Sequence, residues 1–125
     1  MILIKANQTE PIASPNGNLG AALATPSTGA AQVSVIRQRQ QPGGFNPPHS
    51  HPNEEVMFQL AGTVAVHAGE ERLELRAGDT LIIPAGTLHR VENRGDGEAE
   101  WLIIAAAGPR FFHESGEEAH PAWAR

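Results

Sequence analysis

There is no cysteine in these 125 residues, which excludes disulfide staples, thiolate metal sites and thiol nucleophiles together. Any metal must sit on nitrogen and oxygen. Tyrosine is absent too, and four Phe and two Trp are the aromatic residues besides histidine. Cations are scarce: nine Lys and Arg against fourteen Asp and Glu leave a formal net charge of -5. No surplus is left to neutralise a phosphate backbone, which argues against a nucleic-acid partner. Long apolar runs are missing as well. The segment Met1-Ile2-Leu3-Ile4 meets Lys5 well before a signal-peptide core or a membrane span would be complete. No membrane partner and a cytoplasmic location are the resulting expectations. The length suits one domain around one hydrophobic core.

What is abundant is chain punctuation. Thirteen Gly and ten Pro fall between short β-branched runs, a distribution that argues against long helices. Val33-Ser34-Val35-Ile36-Arg37 stops at Pro42-Gly43-Gly44. The run from Val56 to Val66 is interrupted only at Gly62, which reads as two strands and a corner. Turn signals then recur before Leu73-Glu74-Leu75, Leu81-Ile82-Ile83 and Trp101-Leu102-Ile103-Ile104. This rhythm is that of an all-β sandwich or barrel over residues 33–107. Residues 5–31 read as an irregular arm, with the first strands placed somewhere within 1–31, and 113–125 as an irregular tail.

Histidine is concentrated where chemistry would need it. Gly43 is followed by His49, His51, Glu55 and Gly62. Further on, Gly78 is followed by Pro84, Gly86, His89 and Asn93. Side chains alternate along an extended segment, so His49 and His51 face the same way and can grip one ion. The Pro-containing turn brings Glu55 round from the next strand, and His89 enters from elsewhere in the chain.

These two stretches resemble the paired motifs of the cupin superfamily at every fixed position, and the fifteen residues between them, Thr63 to Ala77, resemble its compact microbial members. The resemblance implies an all-β double-stranded β-helix, or jelly-roll, barrel in a single domain spanning 1–125. It also implies four metal ligands, His49, His51, Glu55 and His89, with the glycines, Pro84 and Asn93 serving structure. Such a donor set suits one divalent transition metal per chain, drawn from Fe, Mn, Ni, Co, Cu or Zn, and is unsuited to a thiophilic ion. Four protein ligands on a six-coordinate ion leave two positions open for a small-molecule substrate.

The remaining polar residues carry weaker signals. Glu54 stands one residue short of the family spacing and is expected at the surface. His67 matches no motif position, and His113 and His120 belong to the tail. Met57 and Gln59 share the parity of Glu55 and are candidates for the pocket wall, although Met57 also suits ordinary core. Arg37 and Arg39 alternate on a strand that would serve either as a carboxylate-binding pocket mouth or as a solvated face. Two functional readings stand. One is a metal-dependent enzyme of oxygenase type, with isomerase or decarboxylase as variants, acting on a small organic acid or an enolic or aromatic compound. The other is a non-catalytic module that binds or senses a sugar or acid. Finally, Val56, Phe58 and Leu60 alternate with Glu55, Met57 and Gln59, so the face turned outward is wholly apolar. A homodimer that covers this face is expected.

Overall fold

Alternation along the chain builds the molecule. The computed structural model describes residues 1–124. The strands are β1 (Ile12–Ser14), β2 (Asn18–Ala24), β3 (Val33–Gln40), β4 (Phe45–Ser50), β5 (Glu55–Ala61), β6 (Val64–Ala68), β7 (Glu71–Leu75), β8 (Thr80–Ile83), β9 (His89–Glu92), β10 (Ala99–Ala106), β11 (Phe111–His113) and β12 (Glu118–Ala119). They form two six-stranded antiparallel sheets, ordered β1-β2-β3-β10-β5-β8 and β12-β11-β4-β9-β6-β7. From β3 onward the chain passes repeatedly from one sheet to the other, as in a jelly roll. Helical structure among the described residues is confined to short 3-10 turns.

On β3 every second residue, from Ser34 through Ile36 and Gln38 to Gln40, is buried. β10 does the same with Ala99, Trp101 and Ile103, and β5 with Glu55, Met57 and Gln59. These inward rows meet Val64, Val66, Leu75, Val91 and Phe111 of the second sheet in one apolar core. The inner face is unusual in carrying glutamines. Gln38, Gln40 and Gln59 are all fully buried; the Gln40 and Gln59 amides donate to Asn18 Oδ1 and the Ala61 carbonyl, while the three Oε1 atoms have no partner.

Gly62 forms the corner between β5 and β6 at φ +68°, and a Cβ there would stand 2.7 Å from the carbonyl oxygen of Glu98. Only glycine accommodates both constraints. Asn93 ties the corners together. Its amide donates to the carbonyls of Gln40 and Gly97, and its Oδ1 accepts from Gly95 N–H, the structural duty its motif position implies.

The arm expected to be irregular over 5–31 contains β1 and β2, which extend the first sheet beyond β3. Its Ala- and Gly-rich composition hides the strands from a reading based on β-branched residues. Close packing explains the small residues: a Cβ on Gly20 would fall 2.5 Å from the Trp123 ring. The tail likewise holds β12, paired with β11. A strand supported by neighbours on the sheet needs little intrinsic propensity.

Candidate metal centre

β4 and β9 are antiparallel neighbours in which His49 faces His89. The register shifts between Asn46 and His49, a bulge that takes up Pro47 and Pro48, neither of which can donate to the ladder. His51 follows directly after β4. Glu55 opens β5 on the opposite sheet. The site therefore forms between the sheets, with one nitrogen from each of His49, His51 and His89 within 4.8 Å of the other two.

Each imidazole is pinned from behind. The Nδ1 atoms of His49, His51 and His89 lie 2.8, 2.9 and 2.9 Å from the carbonyl oxygens of Pro47, Arg110 and Thr87. A carbonyl only accepts, so each Nδ1 carries the proton and donates it. The Nε2 lone pairs are left to face one another. Backbone anchoring of this kind sets tautomer and ring direction for metal-ligating histidines.

The buried atoms left over test whether an ion fits. Nε2 of His51, Nε2 of His89 and Oε2 of Glu55 are all buried without a hydrogen-bond partner. His51 Nε2 and Glu55 Oε2 are only 2.5 Å apart. Two lone pairs at that distance repel unless a proton or a cation lies between them. Orphaned acceptors converging on one point are what a divalent cation satisfies, so the donor set fits a metal. The mutually close group comprises the three histidines, and Glu55 joins it through His51.

The electrostatics agree. Burial, followed by the adjacent His89 imidazole, pushes His49 down to about 4. Burial also lowers His89. For His51, burial works in the same direction, but contact with the Glu55 carboxylate prevails and raises it. Burial opposes ionisation of Glu55, yet His51 and the other imidazoles hold it below its ordinary value. The site thus keeps the Glu55 carboxylate ionised and the His49 and His89 imidazoles neutral near neutral pH, the forms that bind metals.

The other candidates separate. Met57 is core, and Gln59 points inward with its amide donating to the Ala61 carbonyl 2.9 Å away. Neither borders the cavity that opens beside His49. Arg37 and Arg39 lie on the outward parity of β3 and pair with Glu100 at 3.6 and 3.8 Å, so the structure gives them the solvated-face role. Glu54 is exposed. His67 pairs with Glu92 at 3.1 Å, and Arg90 and Arg94 meet the same carboxylate. Burial opposes ionisation of Glu92, but these partners outweigh it and lower its pKa.

A residue the sequence reading passes over is Gln38. It lines a cavity of about 610 Å³ together with His49, Ile103, Phe111, His113 and Trp123. Its parity with Ile36 was the available signal, and the arginines on either side obscured it.

Known proteins share this fold. Residues 36–105, more than half of the chain, match the family described as Cupin domain. Germin-like protein 1-1 of Oryza sativa subsp. japonica is 37% identical over 87 residues, covering 65% of this chain and 39% of that protein. Oxalate oxidase GF-2.8 of Triticum aestivum is 34% identical over 113 residues, covering 81% and 49%. The chain thus spans about half the length, or less, of these curated relatives. Among solved structures, oxalate oxidase in complex with the substrate analogue glycolate superposes with a TM-score of 0.77 at 27% identity, covering 90% of this chain and 63% of that one. The polyketide cyclase RemF from Streptomyces resistomycificus has the same fold, with a TM-score of 0.77 at 18% identity over 87% and 81% of the two chains. With the motif residues at matching spacing, the jelly roll and a three-histidine group that could hold a metal ion, the chain belongs to the cupin family.

Proposed function

We propose that this chain binds one divalent transition-metal ion through Nε2 of His49, His51 and His89, with Glu55 as the fourth ligand, and acts as a metal-dependent enzyme of oxygenase type. The observation that carries the reading is the convergence of orphaned buried acceptors on one point, each imidazole being fixed by a backbone carbonyl. Evolution of a purely structural core would have no use for it, because an unpartnered buried acceptor costs stability.

The ion would supply Lewis acidity and, if redox-active, electron transfer towards dioxygen. The chain's own residues do the rest. The carbonyls of Pro47, Thr87 and Arg110 keep the rings from rotating, and the Glu55 carboxylate offsets part of the ion's charge. Ile103 and Phe111 exclude water from one side, while the cavity beside His49 admits the substrate. A small organic acid or an enolic or aromatic compound is the substrate class. The relatives named oxalate oxidase support a redox use of the site.

The deciding experiment is metal analysis of untagged protein followed by oxygen uptake of the Fe(II)- or Mn(II)-loaded chain with enolic, catecholic and carboxylic substrates. One equivalent of metal and substrate-dependent uptake are expected. Metal without turnover on any substrate would leave the binding-module reading in place of the enzyme.

The same reading includes a homodimer. On the outer face of the first sheet, Ile82, Val56, Ile104 and Val35 form one continuous cross-strand row, and Phe58 and Leu102 stand beside it. Ile82 is 61% exposed. An apolar row of this length across four strands favours a second copy as its cover.

A further inference from the structure

The chain carries an apolar arm that its own fold leaves in solvent. Ile2 is 68% exposed and Leu3 79%, with Met1 exposed beside them. Among the described residues no backbone hydrogen bond ties residues 1–4 to the rest of the chain. One contact places the arm: a Cβ on Gly29 would stand 2.6 Å from Ile2 Cδ1, so Ile2 lies against the connection between β2 and β3. Apolar surface gathered in this way is rarely left to water.

The far side of the same sheet has an edge with the opposite need. Among the described strands β8 pairs with β5 alone, so its outer row of backbone N–H and C=O groups is open to a further strand. The edge strand β7 of the second sheet carries Glu71, Arg72 and Glu74, charges of the kind that discourage such pairing. β8, Thr80-Leu81-Ile82-Ile83, carries none, and its Ile82 is the exposed end of the apolar row. The arm of the same copy does not serve it. β8 stands three strands beyond β3, about 14 Å at the usual strand spacing, and with Ile2 held at Gly29 its neighbours Met1 and Leu3 reach only about 4 Å further along the chain.

We infer that two copies exchange their arms, residues 1–4 of each adding to the β8 edge of the other as a further antiparallel strand. This deepens the homodimer reading above, from which it takes its partner. A two-fold axis running along the strands reverses the strand order between the facing sheets and so brings the β2–β3 side of one copy to the β8 side of the other. The added strand gains main-chain hydrogen bonds, and its side chains form cross-strand pairs. With Ile4 opposite Thr80 and Ile2 opposite Ile82 on the outer face, Leu3 meets Leu81 and Met1 meets Ile83 on the inner one. The same register sets Lys5 beside Asp79, opposite charges that are both exposed in the single copy. An arm apolar at all four positions suits a strand covered on both faces.

The absence of native cysteine makes the exchange directly readable. Ile2→Cys and Ile82→Cys are introduced together and the protein is oxidised mildly. Non-reducing electrophoresis should show a covalent dimer, with no free thiol left by titration, whereas each single variant should remain one chain. Ile2→Asp with Leu3→Asp, both at exposed positions, should raise the dimer dissociation constant at least about a hundredfold in sedimentation, with the circular dichroism spectrum and the metal content per chain unchanged. A dissociation constant unaltered by the two aspartates would overturn the exchange and leave the homodimer standing. A disulfide closed within a single chain would also overturn it, because the arm would then lie on its own sheet. Unaltered protein that runs as a monomer at micromolar concentration would overturn the homodimer and the exchange together.

Discussion

His113 on β11 is the cross-strand partner of His49 on β4, so an exposed imidazole at the cavity rim stands next to a half-buried one in the three-histidine group. Proximity does not make the two equivalent. His113 is absent from the set of mutually close donor atoms, and its strand flanks β4 on the side opposite β9. His89→Ala should therefore cut metal affinity by at least about a hundredfold, whereas His113→Ala should leave one equivalent bound. Metal analysis after dialysis against a weak chelator reads both, and equal losses in the two variants would refute the ligand assignment.

Acid should destabilise the metal-free protein. His49 titrates at about 4 when folded and near 6.5 when unfolded, so between those values the unfolded chain binds more protons and stability rises with pH. This contribution is lost as pH falls from 6.5 towards 4, and His89 adds a loss of the same sign. Glu55, lowered by its partners, contributes stability above its unfolded value that is lost at still lower pH. His51 is opposed: its raised pKa gives stability below 6.5 that fades as pH rises. Two imidazoles outweigh one, and His49 by itself accounts for about 2 kcal/mol between pH 7 and pH 5. Urea midpoints of chelator-treated protein should fall over that interval, with a shallower fall in His49→Gln.

Gly62→Ala should cost about 1–3 kcal/mol. The left-handed backbone and the Glu98 carbonyl both oppose a methyl group, and a backbone oxygen has little freedom to retreat. Gly69 shares the positive φ but has open space where its Cβ would be. Gly69→Ala should therefore lose only the smaller, conformational part, and denaturant unfolding of the pair separates strain from steric clash.

Phe58→Glu tests the outer face of the first sheet. Phe58 packs beside Leu102 across the β5–β10 ladder, on the side away from the metal centre. Light scattering at micromolar concentration should give twice the chain mass for the unaltered protein and about one chain mass, or aggregation, for the variant. Metal content per soluble chain should be unaffected, since Glu55 and Met57 point the other way.

Much of this was written in the local sequence. Alternation placed Glu55, Met57 and Gln59 on one face and Val56, Phe58 and Leu60 on the other, because a pleated strand leaves side chains no third choice. Alternation likewise turned His49 and His51 the same way, while the resemblance to the paired cupin motifs marked His89 and Glu55 as ligand candidates, and Gly62 marked a corner that only a residue without Cβ can turn. Other features needed the fold. β2 is legible only once β3 lies beside it, and Gly20 suits its place there because Trp123 leaves no room for a Cβ. The roles of Arg37 and Arg39, against that of Gln38, depended on which parity of β3 met the second sheet. The carbonyl of Arg110 behind His51 lies 59 residues away in sequence, and the cavity is enclosed by β1, β4 and the C-terminal hairpin together. Short-range periodicity fixes which way a side chain points along its own strand. What it meets there is a long-range fact, decided by how the sheets close.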